Sequence, residues 1–315
     1  MSLSLGIDTS NYTTSAALYD SESGSLIQER MLLPVKEGQL GLRQSDAVFH
    51  HVRQLPIILE KLAAHIDRAP DVVGVSTRPR PVDGSYMPCF EAGHGTARSL
   101  GAFFKAPVRC FSHQEGHIEA AVYSVNAYDS LGDRFVAFHV SGGTTEAVMA
   151  KRGGTGYGIE YLCGSLDLKA GQAVDRAANM LGLSFPGGKE LDALSLGWPE
   201  DIRCRPVMRG MDCSLSGIEN RCKKLIAEGR PPEYTARFCL CSIAAALNGM
   251  HDAIIKEYGQ LPVIFAGGVA SNTVIRRIIS ERTGALFALP EFSCDNAAGI
   301  AILAAKAFAA ESIQE

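Results

Sequence analysis

No Cys-x-x-Cys pair occurs in this chain, and its nine cysteines are odd in number and irregular in spacing. A disulfide framework is therefore excluded, and free thiols in a reducing cytoplasm are expected. Cys239 and Cys241 sit in an apolar helical stretch and read as core, whereas Cys294 reads as a small packed residue or a stray ligand beside Asp295. Excess positive charge is also missing. A formal charge of −4 argues against a grip on nucleic acid through bulk charge, while leaving room for a local basic patch. No apolar run approaches the length of a bilayer span, and the N-terminus lacks the basic and apolar regions of a signal peptide, so a cytoplasmic protein without membrane contact is expected. No Gly-x-Gly-x-x-Gly fingerprint and no nucleophile with a paired base can be found, which argues against a dinucleotide fold and a protease. What remains is a globular composition, 46% hydrophobic and 20% charged, over 315 residues: enough for two ordinary domains.

The chain opens with a hairpin pattern, a strand ending at Asp8-Thr9-Ser10, a turn at Asn11-Tyr12-Thr13-Thr14 and a return over Ser15–Tyr19. A third strand and a loop follow to about Gln44. Val48, Val52, Leu55, Leu59, Leu62 and Ile66 then recur on a helical period from Ser45. A short strand at Val72–Ser76, a Gly/Ala-rich helix at Glu91–Phe104 and a strand at Val108–Phe111 complete the first half. The second half opens the same way: strand Arg134–Val140, turn Ser141-Gly142-Gly143-Thr144, return Thr145–Met149. Helices are expected over about 168–181, 188–196, 215–227 and 233–258, strands over 263–266 and 285–288, and a closing helix from Asn296 with Asp295 as N-cap. Two halves with one plan predict a duplicated, two-lobed α/β protein with mixed sheets and a ligand cleft between the lobes. Residues 1–115 with the closing helix 296–315 form the expected first lobe, and 116–295 the second.

Five features carry chemistry. His113 and His117 are four apart, so on a helix both imidazoles share a face; with Asp295 they offer two nitrogens and a carboxylate and leave coordination positions open. Such a pair also occurs as ordinary packing. Ser141-Gly142-Gly143-Thr144 can bring backbone N–H groups close to an anion, or simply close a hairpin. Ala266-Gly267-Gly268-Val269-Ala270-Ser271-Asn272 leads from a buried strand into a helix, and Phe185-Pro186-Gly187-Gly188 precedes a helix carrying Glu190 and Asp192; both read as ligand turns or as caps. Asp175 is either a solvent-facing acid paired with Arg176 or Lys169, or an acid that accepts from a ribose hydroxyl.

Together these segments resemble the tRNA threonylcarbamoyladenosine transferase family, TsaD, long called O-sialoglycoprotein endopeptidase or glycoprotease. The resemblance rests on Leu5–Ser10, His51-Val52-Arg53, His113–His117, Val140–Gly143, Ala170–Asp175, Leu181–Gly188, Ser214–Gly217, Ala266–Asn272 and Pro290–Asn296, in order over nearly the whole chain. It implies an actin/hexokinase/Hsp70-like fold. It implies one divalent metal, iron or zinc and in some members magnesium, on His113, His117 and Asp295. It implies an adenine nucleotide surrounded by Ser141, Gly142, Gly143, Thr144, Asp175, Gly188, Asp192 and Asn272. The implied reaction moves threonylcarbamoyl from its AMP ester to N6 of adenosine 37 in tRNAs reading ANN codons. Implied partners are tRNA and, in bacteria, a related inactive subunit and a small ATPase.

The chain departs from the family where acids and loops surround the reacting group. The usual Cys-Asp-Glu is Asn11-Tyr12-Thr13, which leaves the catalytic residues unassigned. The usual Gly-Pro-Gly loop is Thr77–Tyr86 with Arg78 and Arg80; Ser-Gly-Gly-His-Thr has Thr144 for its histidine; Ala-Gly-Glu-Ala has Gln172 for its glutamate. A divergent paralogue that binds nucleotide and metal with altered or lost transfer is therefore the alternative, poor at replacing the housekeeping enzyme. A metal-dependent glycoprotease is a weaker one.

Overall fold

The computed structural model describes residues 2–10, 12–34 and 42–312. They form two compact units. The first comprises residues 1–124, 151–159 and 294–315, so Asp295 belongs to it, and the second comprises 125–150 and 160–293.

The first unit is built from β1 (Leu3–Ser10), β2 (Thr13–Asp20), β3 (Leu26–Leu32), α1 (Gln44–Ala63), β4 (Val72–Arg78), α2 (Phe90–Phe104), β5 (Val108–Ser112) and α3 (His113–Ser124). Its sheet runs β3-β2-β1-β4-β5, antiparallel on the hairpin side and parallel from β1 to β5. All eight residues of β1 are buried because the strand is central and covered on both faces. Leu5, Ile7 and Val75 meet Leu55, Ile58 and Leu62 of α1 in one core. Truncating Ile7 to alanine is expected to cost about 2–5 kcal/mol.

The second unit and its hairpin contain α4 (Tyr128–Leu131), β6 (Arg134–Val140), β7 (Thr145–Arg152), β8 (Tyr157–Gly164), α5 (Ala170–Met180), α6 (Gly188–Ser195), β9 (Val207–Arg209), β10 (Asp212–Ser214), α7 (Ser216–Ala227), α8 (Pro232–Tyr258), β11 (Val263–Ala266), α9 (Thr273–Thr283) and β12 (Leu286–Phe287); α10 (Ala298–Ser312) closes the chain. The order β8-β7-β6-β11-β12 repeats that of the first sheet, and β9–β10 is a separate ribbon. The duplicated plan expected from the sequence is present, and the fold is two-lobed α/β with two mixed sheets.

Three expectations need correction. Helix α1 departs from the predicted row at Val52, which is 58% exposed: Leu55 and Leu62 are buried and Leu59 and Ile66 pack against the core as expected, but Ala47, His51, Gln54 and Ile58 are also inside. The reason is a polar pairing. Thr14 of β2 donates to Gln54 Oε1 at 2.6 Å and lies 2.8 Å from His51 Nδ1, so the interior pairs both side chains, although His51 Nε2 is left without a partner. Helix α8 is, by length and composition alone, apolar enough to cross a bilayer, although most of it is buried in the core of the second unit. Asp295 does not cap α10. Asn296 does, accepting from Ala298 N at 3.0 Å, and the Asp295 carboxylate turns elsewhere.

Candidate functional site

The histidine helix is fixed by a reciprocal cap. Glu115 accepts from Ser112 N (2.7 Å) and Ser112 Oγ (2.8 Å), while Ser112 Oγ accepts from Glu115 N at 3.2 Å. This Ser-x-x-Glu capping box starts α3 at His113. The Pro79 carbonyl takes the next free donor, Gln114 N, which ties the Thr77–Tyr86 loop to the helix. Glycines then bring α10 close. A Cβ on Gly299 would lie 1.9 Å from the Gly116 carbonyl oxygen, and one on Gly116 would lie 2.9 Å from Ile300. Only two glycines permit this approach, and it sets Asp295, just before α10, against the imidazoles.

His113, His117 and Asp295 converge, their ligand atoms all within 4.8 Å of one another. The two Nε2 atoms are 2.9 Å apart, and Asp295 Oδ1 lies 3.3 Å from His117 Nε2 and 3.6 Å from His113 Nε2. His113 Nδ1 donates to Asp8 Oδ1 at 2.8 Å, which leaves Nε2 as the nitrogen that faces its neighbours. Asp8 is fully buried, also accepts from Ser76 Oγ, and has its second oxygen unpartnered. Burial opposes charge on both groups, but mutual attraction wins: Asp8 is held below the usual carboxylate range, and His113 is raised to about 10 by Asp8 and Asp295. Asp295 is likewise held well below its ordinary value, burial notwithstanding, by hydrogen bonds from His113 and His117.

This donor set fits a divalent cation. Two imidazoles and a carboxylate face one point, and a carboxylate behind one imidazole orients the ring and raises its basicity. A bound cation would replace the proton that His113 otherwise holds between two acids. Of the positions where family acids are replaced, Asn11 lies outside the described residues and Tyr12 is exposed. Thr13 donates to Asp295 Oδ2 at 3.4 Å. A neutral hydroxyl thus stands beside the candidate ligand. Thr9 is committed to packing, donating to Cys89 O and accepting from Gly93 N. Arg78 and Arg80 are exposed.

The nucleotide candidates all fall in the second unit. The turn after β6 closes through Ser141 N to Thr144 O (2.8 Å) and Thr144 N to Ser141 Oγ (3.2 Å). It rests on the start of α5, where a Cβ on Gly171 would lie 2.5 Å from Gly142 Cα, while Gly142 and Gly143 themselves adjoin open space. Asp175 accepts from Gly187 N at 3.0 Å, just before Gly188; burial raises its pKa, and that hydrogen bond counters in part. It is not paired with Arg176, which bonds Glu219. Asp192 accepts from Thr273 N at 3.0 Å and keeps its other oxygen buried without a partner. Asn272 caps α9, accepting from Val274 N and Ile275 N at 3.1 Å each, so only its amide nitrogen is left for a ligand. Gly267 holds φ +105°, and a Cβ there would lie 2.3 Å from the Val140 carbonyl oxygen, so glycine lets this turn sit close beside the first.

The sequence reading placed Asp8 and Glu115 within the resembling segments, and Asp8 in a candidate phosphate turn, but missed their roles behind the histidines. Signals for both were present: an acid inside the apolar run Leu5-Gly6-Ile7-Asp8 requires a partner, and Ser112-x-x-Glu115 is a helix-start pattern.

A family model described as TsaD, tRNA N6-adenosine threonylcarbamoyltransferase, matches residues 37–302. Curated proteins named tRNA N6-adenosine threonylcarbamoyltransferase match from Archaeoglobus fulgidus (28% identical, 95% of this chain, 89% of that protein) and from Neorickettsia sennetsu (31% identical, 89% and 84%). Among solved structures, T. kodakarensis HypF superposes with TM-score 0.64 at 12% identity, over 99% of this chain and 48% of that one. A ROK family glucokinase from Streptomyces griseus does so with TM-score 0.51 at 14% identity, over 96% and 99%. These likenesses are of fold, the actin/hexokinase/Hsp70-like class.

Proposed function

The chain belongs to the TsaD family of tRNA N6-adenosine threonylcarbamoyltransferases, and from that premise we propose that it transfers threonylcarbamoyl from threonylcarbamoyl-AMP to N6 of adenosine 37 in tRNA. The observation that carries the reading is the convergence of His113, His117 and Asp295, with Asp8 behind His113. In the reaction the adenine amine bonds to the carbamoyl carbon, the bond from that carbon to the phosphate oxygen breaks, AMP leaves, and the amine gives up one proton. A divalent metal on this site supplies Lewis acidity toward the oxygens where charge develops. Zinc or iron(II) suits two imidazoles and a carboxylate better than magnesium, which prefers oxygen. Asp8 holds the His113 ring in one orientation. The turn Ser141–Thr144 offers backbone donors to the adenylate phosphate, Asp175 and Asp192 offer acceptors to ribose, and Asn272 and Gly188 border the adenosine end. Nine free thiols suit a reducing cytoplasm, where a related inactive subunit and a small ATPase are the partners this reading carries.

One observation favours a second reading, in which nucleotide and metal bind but turnover is lost. Thr13 sets a neutral hydroxyl against Asp295 at the position of a family acid. A missing positioned acid or base costs roughly 10²–10⁴-fold in rate. Expression of the chain in a strain depleted of its own transferase, with mass spectrometry of tRNA nucleosides, separates the two. Threonylcarbamoyladenosine above the empty-vector level supports transfer. None, from a folded and metal-loaded chain, leaves only binding.

A further inference from the structure

An arginine row lies outside every site described so far. From Arg203 to Met211 the chain reads Arg-Cys-Arg-Pro-Val-Met-Arg-Gly-Met, three arginines and no acid. Ile202, Cys204 and Met208 pack on the core of the second unit, while Arg203, Arg205, Val207 and Arg209 are exposed. The alternation of an extended chain holds over Ile202–Arg205 and again over Val207–Arg209 of β9, with a break at the exposed Pro206. The segment runs along α8: Cys204 Sγ lies 3.2 Å from Ser242 Oγ, and Pro206 Cγ (3.2 Å) and Met208 Sδ (2.8 Å) both lie against where a Gly249 Cβ would stand. Arg203, Arg205 and Arg209 therefore stem from the exposed side of one short segment that packs along α8.

None of the three has an ion-pair or hydrogen-bond partner among the described residues; of the acids on neighbouring elements most are committed, while Glu200, exposed just before the row, has no partner among the described residues. Asp201 takes Arg237 and Arg277. Asp212, opposite Arg209 in the β9–β10 ladder, accepts from Gly164 N at 2.8 Å. Glu219 takes Arg176 and Lys223, and Glu228 takes Lys224. In a chain of net charge −4, three unpaired arginines on one line are a local field of opposite sign.

We propose that Arg203, Arg205 and Arg209 form a docking surface for the phosphate backbone of the tRNA; the proposal rests on the transferase reading. Guanidinium groups favour phosphate, and three of them on the exposed side of one short segment meet a polymer whose charges recur regularly. No aromatic side chain stands among them, so the row holds backbone and does not read bases.

The test uses the full chain with Arg203→Gln, Arg205→Gln and Arg209→Gln combined, an unmodified tRNA transcript, and binding measured over a salt series. Each lost phosphate contact removes roughly one unit of slope in log K against log salt, so the slope falls by roughly two to three units. Affinity at low salt falls about 10- to 100-fold. AMP affinity and metal content stay at the wild-type level, which shows an intact fold. A triple variant that matches wild type in tRNA affinity and slope overturns the surface while leaving the transferase reading intact. Lost capture of an acidic protein with unchanged tRNA binding overturns it too. A wild-type chain that binds no tRNA overturns both readings. A wild-type chain that binds tRNA through this row but forms no threonylcarbamoyladenosine overturns only the transfer.

Discussion

Asp8 accepts a hydrogen bond from His113 Nδ1 at 2.8 Å from a position with no solvent contact. The pair joins the central strand of the first sheet to the first residue of the histidine helix. Removing such an outer carboxylate typically weakens metal affinity 10- to 100-fold. Asp8→Asn is therefore expected to lower zinc affinity by that factor with the fold kept, read by competition with a chromogenic chelator. Unchanged affinity would show that the ring needs no such support.

Gly299 fixes how closely α10 crosses α3. A methyl group there meets the Gly116 carbonyl at 1.9 Å, so the helices must part. Gly299→Ala is expected to cost about 1–3 kcal/mol in urea unfolding. It should also weaken metal binding, because Asp295 rides on the start of α10. A stable variant with full metal affinity would uncouple the crossing from the site.

His51 gives a pH dependence with a definite sign. Burial lowers its pKa from 6.5 to about 4, with Asp8 opposing. The native state keeps it neutral while the unfolded chain protonates it below pH 6.5. Its contribution is thus fully present above 6.5 and is lost as pH falls to about 4, up to about 3 kcal/mol. Chemical denaturation at pH 7 and pH 5 should show the loss in the wild type and a shallower one in His51→Asn. Equal slopes would remove His51 from the account.

Gly143 adjoins open space, so a longer side chain there does not disturb packing. Gly143→Arg is expected to leave the melting temperature unchanged and to abolish AMP binding measured by calorimetry. Retained affinity would move the phosphate away from the Ser141–Thr144 turn.

Much of this was legible in the residues. Strand–turn–strand patterns at Leu3–Asp20 and Arg134–Met149 announced the two hairpins, because alternation and turn chemistry are local signals. The i, i+4 histidines likewise announced a shared face. What was not legible depended on partners remote in sequence. His51 and Gln54 look like surface residues until Thr14 on β2 supplies their hydrogen bonds. Asp295 and Asn296 are equally good caps by type, and only the position of α3 decides that Asp295 faces the histidines. The β9–β10 ribbon, three residues a strand, is too short to carry a periodic signal.

The most direct measurement is metal content. Elemental analysis of the purified chain beside His113→Ala/His117→Ala, each checked for native folding by circular dichroism, reads the site without reference to any activity. The account predicts one divalent metal ion per wild-type chain and none in the folded double variant. Equal metal content in the two proteins would contradict it.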